Sequence, residues 1–336
     1  MNHGRKSEFQ RNANLEGLLA EINSLLKRAE EKAVKNFSKP KFPVLLVIGG
    51  PRTGSTLMMQ WIASLGTFSY PTNLLSRFYE APYIGAKIQL LLTHPDYNFK
   101  NEILDFKSKC SFSSDLGKTQ GALEPNDFWY FWRRFIPNKL PIYLTKSEEQ
   151  KVRKKSFLAE IAAIEHVFEK PFAMKGMILE QNIPLLASIF KKIVFLNLRR
   201  HPFFNIQSLL ESRLKFFGDI QRWYSIRPRQ YNELIKLDPI KQVAGQVYYK
   251  NKVVEEGLSK IDKTKYINVD YEKFCENPQY YFKKIRKKYQ EQGEMVHWKY
   301  SGPERYKSAN KVRLKSHDVK QIAEAYHQFS GEYIHP

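Results

Sequence analysis

The stretch VIGGPRTGSTLMMQWI, residues 47–62, has the residue types and spacing best suited to chemistry. An apolar run ends in two glycines, a Pro-Arg-Thr-Gly turn follows, and a helical pattern begins at Ser55. A strand that turns through glycines into a helix aims backbone N–H groups and the positive helix end at one point, making a phosphate cradle. Gly49 and Gly54 have the spacing of the glycines in G-x-x-x-x-G-K-[ST], and Thr56 stands at the hydroxyl position. Ser55 occupies the lysine position. Without that lysine, gripping a triphosphate for hydrolysis is hard to arrange, so the loop suits a terminal 5′-phosphate group instead. Arg52 supplies a cation able to face a bridging or leaving-group oxygen. The plainer reading of these residues is a Gly-Pro turn with an exposed arginine.

A second basic element follows in IVFLNLRRHPFFNIQSLLESR, residues 193–213. Arg199 and Arg200 come directly after a buried-strand pattern, and Pro202 can open a helix that carries Ser208 and Arg213. In doubly wound sheets ligands collect outside the carboxyl ends of strands, so this edge and the 51–56 loop can share one crevice. Two anion sites on one crevice suit a nucleotide phosphorylated at two separate positions.

On these residues the chain resembles the sulfotransferase superfamily, whose donor is 3′-phosphoadenosine 5′-phosphosulfate. The family's 5′-phosphosulfate loop, P-[RK]-[ST]-G-[ST]-T, is matched by Pro51, Arg52, Thr53, Gly54, Ser55 and Thr56. Its 3′-phosphate element, an Arg followed by x-Pro and then a Ser, is matched by Arg200, Pro202 and Ser208. Two weaker traits appear in order: Lys175 after a strand, and Tyr271, Glu272, Phe274 and Pro278 as a Tyr-Glu-x-[LF]-x-x-x-Pro stretch. The PRTGST form is similar to bacterial and tyrosylprotein-type relatives. Many relatives carry Asp where this chain has His201, and the glycine-rich C-terminal segment that closes the 3′-phosphate site in cytosolic enzymes is missing. Arg313, or Arg305, is the candidate replacement.

The resemblance implies sulfuryl transfer to a hydroxyl by in-line displacement, with adenosine 3′,5′-bisphosphate as product and no metal. Such a reaction has a loose transition state, so catalysis rests on placing the acceptor and on donors aimed at the leaving oxygen: Arg52, the loop amides, Thr56 and Lys175. The hydroxyl also needs a base, and family members use His or Glu. Counting to the Glu position of tyrosylprotein-type relatives leads to Thr72 and Asn73, so that place is vacant. The candidates are Glu124, which lies close to Trp129, Tyr130, Phe131 and Trp132, then Glu80 and His94. Aromatic surroundings would raise a carboxyl toward a base's working range. Equally, Glu124 could cap a helix, Glu80 could be a surface charge and His94 could only close a helix. The aromatic cluster serves either the core or an acceptor pocket, and in the latter case the acceptor is a lipid-like or aromatic alcohol.

These residues need a scaffold. Residues 43–50 read as a short buried strand, with further strands expected at 172–175, 193–198 and 266–269. Helical patterns lie at 55–65, 82–92, 156–168, 183–190, 203–215 and 317–329. The fold class is therefore α/β: a central parallel sheet with helices on both faces, which the resemblance makes P-loop-like. Residues 1–40 are expected to form an amphipathic helical extension, with Leu15, Leu18, Leu19, Ile22, Leu25 and Leu26 on one face, and 41–336 a single domain. Within it, 93–144 is an acceptor-side insertion.

With 336 residues, 42% of them apolar and 14% aromatic, the chain is no disordered or collagen-like protein. Its longest apolar run is about half the ~20 residues that cross a bilayer, and the N-terminus lacks a secretory apolar segment. Two cysteines, Cys110 and Cys275, fit a reducing compartment, and a cytoplasmic location is expected. The 55 basic against 34 acidic residues leave a formal charge of +21. The dense runs at 151–155 (KVRKK) and 283–288 (KKIRKK) look like exposed helical faces. That excess admits a peripheral contact with anionic membrane, while no nucleic-acid-binding signature occurs. The competing functions are a P-loop kinase or NTPase and a basic binder of nucleic acid or membrane surfaces.

Overall fold

The computed structural model describes residues 4–98, 100, 102–103, 111–137 and 142–336; Cys110 and parts of the 93–144 stretch lie outside them. The strands, in chain order, are β1 (Val44–Ile48), β2 (Ser114–Asp115), β3 (Lys118–Thr119), β4 (Ala173–Lys175), β5 (Ile193–Arg199) and β6 (Tyr266–Asp270). Four of them make one parallel sheet in the order β4-β1-β5-β6, and β2 and β3 form an antiparallel hairpin. Leu45 of β1 pairs with Ala173 on one side and Val194 on the other. The chain leaves β1 toward one edge and returns on its other side. Strand order therefore reverses at β1, where α/β folds place their ligand crevice.

Both faces of the sheet are covered, as the unbroken apolar strand sequences require. Alternation along β1 sends Val44, Leu46 and Ile48 into a layer with Phe131, Phe157 and Leu186. Leu45 and Val47 point the other way, toward Met58, Trp61, Phe274 and Tyr289. A third cluster joins helices Pro202–Phe217, Pro239–Leu258 and Ser316–Ser330 through Phe203, Val243, Val247, Ile322 and Tyr326. The sequence patterns do not single out the helix Pro239–Leu258, although it buries ten residues. Five of these, Gln242, Gly245, Gln246, Lys250 and Gly257, carry no apolar side chain, which blurs the helical stripe.

Two expectations change in detail. The KVRKK run is not one helical face: it spans the break between helices Lys146–Gln150 and Lys154–Phe168, and Val152 is buried there. KKIRKK does lie on a helix, Pro278–Glu291, with Ile285 inside. The N-terminal helix, Ala13–Ala33, buries Leu19, Asn23 and Glu30 and leaves Leu18 and Leu25 exposed. Its seat is thus partly polar. Glu30 accepts from Tyr83 N (2.8 Å) and Ile84 N (3.0 Å), satisfying the open start of helix Pro82–Thr93. Burial pushes the Glu30 carboxyl up to about 7 against those two bonds. Among the described residues no helix is long and apolar enough to cross a membrane.

Candidate active site

The turn after β1 has a shape only certain residues tolerate. Gly54 has φ +97°, and a Cβ there would come within 2.6 Å of the Tyr271 ring. At Gly49, φ +137°, a Cβ would meet the Leu198 carbonyl at 2.4 Å. Arg52 also adopts a positive φ, +66°, a conformation that costs a side-chain-bearing residue on the order of 1 kcal/mol. Surrounding bonds hold it there. Thr53 Oγ1 donates to Gly50 O (2.7 Å), and Asn205 Nδ2 donates to Pro51 O (2.8 Å). Beneath the turn, Glu180 Oε2 accepts from Gly49 N (3.2 Å) and pairs with Lys250 Nζ (2.8 Å), both side chains being buried. Burial drives Glu180 up and Lys250 down, and each one's charge opposes the other's shift. Gly54 caps helix Ser55–Ser64 without a side-chain acceptor, an arrangement of first-turn amides that suits an anion.

The second basic element meets this turn. Arg200, 8% exposed, donates from Nη1 to Arg52 O (2.9 Å), from Nε to Asn310 Oδ1 (2.8 Å) and from Nη2 to Ala309 O (3.3 Å). Arg52 Nε in turn donates to Ser208 Oγ (3.1 Å). Desolvation lowers the Arg200 pKa, and the neighbouring Arg52 and Arg313 charges add to that. The opposite charge of a bound anion would offset both effects. Tyr271 and Glu272 hold the two elements together. The Tyr271 ring lies under the Arg200 guanidinium at 5.2 Å, and its hydroxyl accepts from Ala309 N. Glu272 Oε1 accepts from His201 N and Asn310 Nδ2. Arg313 lies alongside, its N–H bonded to Gln207 and its guanidinium paired with Glu211 through two bonds of 2.6 and 2.7 Å.

At the other end of the turn, Lys175 Nζ lies 3.0 Å from Thr56 Oγ1 and 2.6 Å from Asp127 Oδ1. Asp127 Oδ2 accepts from Trp129 Nε1 (3.2 Å), and Trp132 Nε1 donates to the Lys175 carbonyl. Burial pushes the Asp127 carboxyl up, but Lys175, helped by Lys118 and Trp129, holds it below the usual range. A small cavity opens between Asp127, Trp129, Trp132, Lys175, Met177 and Ile178. The aromatic cluster thus divides its work: Phe128, Phe131 and Phe135 are core, while Trp129 and Trp132 also wall this cavity.

Of the three carboxylate or imidazole candidates, Glu124 is drawn in to the loop helix. It is buried and accepts from Gln60 Nε2 (3.1 Å), one turn beyond Thr56, and from Ser111 N (2.6 Å). Glu80 pairs with Lys27 of the N-terminal helix at 2.9 Å. His94 ends helix Pro82–Thr93 and accepts from Asp96 N, its ring against Tyr97. Sequence reasoning overlooked Asp127, Asn205, Asn310 and the Glu180–Lys250 pair. Asp127 lies three residues after Glu124, in the same EPNDFW segment. Asn205 gave no signal beyond being a polar residue in a stretch read as helix, and Glu180, Lys250 and Asn310 lie where the sequence patterns assign no element.

The profile of the Sulfotransferase family matches residues 43–290. No curated protein matches the chain at the sequence level. Among solved structures, the fold is similar to sulfotransferase STF9 from Mycobacterium avium, 14% identical, with a TM-score of 0.54 over 97% of this chain and 88% of that one. It is similar also to sulfotransferase STF1 from Mycobacterium tuberculosis H37Rv, 11% identical, with a TM-score of 0.51 over 94% and 84%. The family profile covers the β1 turn, Lys175, the Arg200–Ser208 element and the Tyr271–Glu272 brace alike: the chain belongs to the sulfotransferase family, enzymes that transfer sulfuryl groups.

Proposed function

We propose that the donor is 3′-phosphoadenosine 5′-phosphosulfate, that the acceptor is a hydroxyl, and that adenosine 3′,5′-bisphosphate is released. The observation that carries this reading is the bond from Arg200 Nη1 to the Arg52 carbonyl. It joins a helix-start phosphate cradle to a second, buried cation, so one rim offers two separate seats for negative charge. The cradle suits the 5′ end, with Arg52, the first-turn amides and Thr56 as donors. Arg200 and Ser208, backed by Arg313, suit the 3′-phosphate. Lys175 reaches Thr56 Oγ1, where it can neutralise charge that grows on the leaving phosphate oxygen as the S–O bond lengthens. The Trp129, Trp132, Met177 and Ile178 walls favour an aromatic or lipid-like alcohol beside that point.

Calorimetric titration with adenosine 3′,5′-bisphosphate tests the donor reading. Arg200→Ala and Arg52→Ala are each expected to weaken binding about tenfold to a hundredfold, the worth of charged hydrogen bonds. Stabilisation by ATP–Mg²⁺ with no response to the bisphosphate would overturn it. Assay of sulfate-labelled donor against phenols, long-chain alcohols and sugars tests the acceptor class, and turnover of sugars alone would count against the apolar assignment.

A further inference from the structure

Lys175 stands between two groups, Thr56 on the donor side and Asp127 on the cavity side. We propose that Asp127 is the general base that takes the acceptor's proton, and that Lys175 couples this proton transfer to departure of the nucleotide. The inference rests on the donor reading above.

Three observations carry it. Asp127 is the carboxylate among the residues that line the cavity beside Lys175, and it remains 28% exposed on its side chain. Trp129 Nε1 fixes Oδ2 and Lys175 Nζ fixes Oδ1, so the carboxylate is held in one orientation from two sides. Glu124, by contrast, already receives Gln60 and Ser111 and sits in the interior. Lys175 is itself anchored through its own carbonyl by Trp132, which leaves its ammonium to move between the two flanking oxygens.

The step balances without any further reagent. The acceptor oxygen forms a bond to sulfur while the bond from sulfur to the 5′-phosphate oxygen breaks, and that electron pair leaves with the nucleotide. The acceptor's proton passes to Asp127. In the resting site Lys175 holds Asp127 a poor base. As negative charge develops on the leaving oxygen near Thr56, Lys175 is drawn toward it and Asp127 becomes more basic when a proton must be accepted. A loose transition state, in which the proton is lost late, suits a base of this kind. The charged groups that face Asp127 are Lys175 on β4 and Lys118 on β3, with the Tyr224 phenol in the same field.

The test compares wild type, Asp127→Asn and Asp127→Glu by release of adenosine 3′,5′-bisphosphate from the phosphosulfate donor. It uses single turnover with water, 1-hexanol or 4-nitrophenol as acceptor, beside calorimetric binding of the bisphosphate. Asp127→Asn is expected to bind the bisphosphate within threefold of wild type. Its transfer to water and hexanol should fall by roughly 10²–10⁴-fold, the usual worth of a general base. The acidic limb of the pH profile should disappear. Transfer to 4-nitrophenol, already partly ionised at neutral pH, should suffer least, and Asp127→Glu should recover part of the rate. Turnover of Asp127→Asn within threefold of wild type would overturn the proposal, as would an equal loss for all three acceptors or a parallel loss of bisphosphate binding. A wild-type protein that binds no bisphosphate defeats the donor reading itself, a separate and recognisable result.

Discussion

Lys250 and Glu180 show how a buried pair outside the turn after β1 sets its shape. Their contact lies under Gly49 and Gly50, and neither charge reaches water. Removing one partner of such a pair leaves the other as an uncompensated buried charge, which costs about 3–5 kcal/mol, whereas removing both costs far less. Lys250→Met should therefore lower the denaturant midpoint steeply at unchanged m-value. The double variant Lys250→Met/Glu180→Gln should regain most of the loss. If the single and double variants unfold at the same midpoint, the pair is not coupled. This pair also shows why part of the site was hidden from the sequence. The 51–56 turn was legible because its glycines and proline are neighbours whose backbone demands are local. Arg200, Pro202 and Ser208 were legible for the same reason. Asp127 meets Lys175 across 48 positions of chain, and Asn310 meets Arg200 across 110, so only the folded sheet edge makes them partners.

At the scale of elements, buried carboxylates tie segments to the sheet. Glu165 of helix Lys154–Phe168 accepts from Lys41 N (2.6 Å) and from Phe42 N, fixing the chain just before β1. Burial raises its pKa from 4.5 to about 7, against those backbone bonds. Between these two values the folded protein holds a proton that the unfolded chain has lost. The contribution is thus complete below pH 4.5 and declines as pH rises through about 7. Glu165→Gln keeps a carbonyl for Lys41 N and removes the titration. Relative to this variant, wild type should lose about 3 kcal/mol of stability between pH 4.5 and pH 8, as measured by denaturant melts. A gap that does not change with pH would show that Glu165 titrates normally. Most elements could be read from apolar period: β1, β4, β5 and β6 start and stop within a residue or two of expectation. Helix Pro239–Leu258 was not, because its inner face spends places on Gln242, Gln246 and Lys250. The Gln246 amide donates to Tyr224 O and Ile226 O, and Lys250 braces the turn after β1 through Glu180, so the residues that obscured the helix are the ones that give it a task.

For the whole molecule the decisive quantity is the excess of 21 basic residues. Many acids are consumed locally, as in Arg134–Glu160, Arg313–Glu211 and Lys175–Asp127, so the surplus cations are left to shape the field outside. A doubly phosphorylated nucleotide is a small, dense anion, and the rim proposed to receive it carries Arg52, Arg200 and Lys175 together. Such a field raises the rate of encounter more than it slows escape, and it is screened over about 10 Å at 0.1 M salt. The association rate of adenosine 3′,5′-bisphosphate, followed by stopped-flow tryptophan fluorescence, should fall by about tenfold or more between roughly 0.02 and 0.5 M salt. The dissociation rate should change little by comparison, because short contacts such as those of Arg200 are already desolvated and poorly screened. An association rate indifferent to salt would mean that the charge excess faces away from the rim and serves some other surface. Exchanging exposed Lys283 and Lys287 for glutamine separates the two cases. If the whole field steers the nucleotide, that pair should lower the association rate at low salt and leave the affinity at high salt unchanged. If only the rim does, neither rate should move.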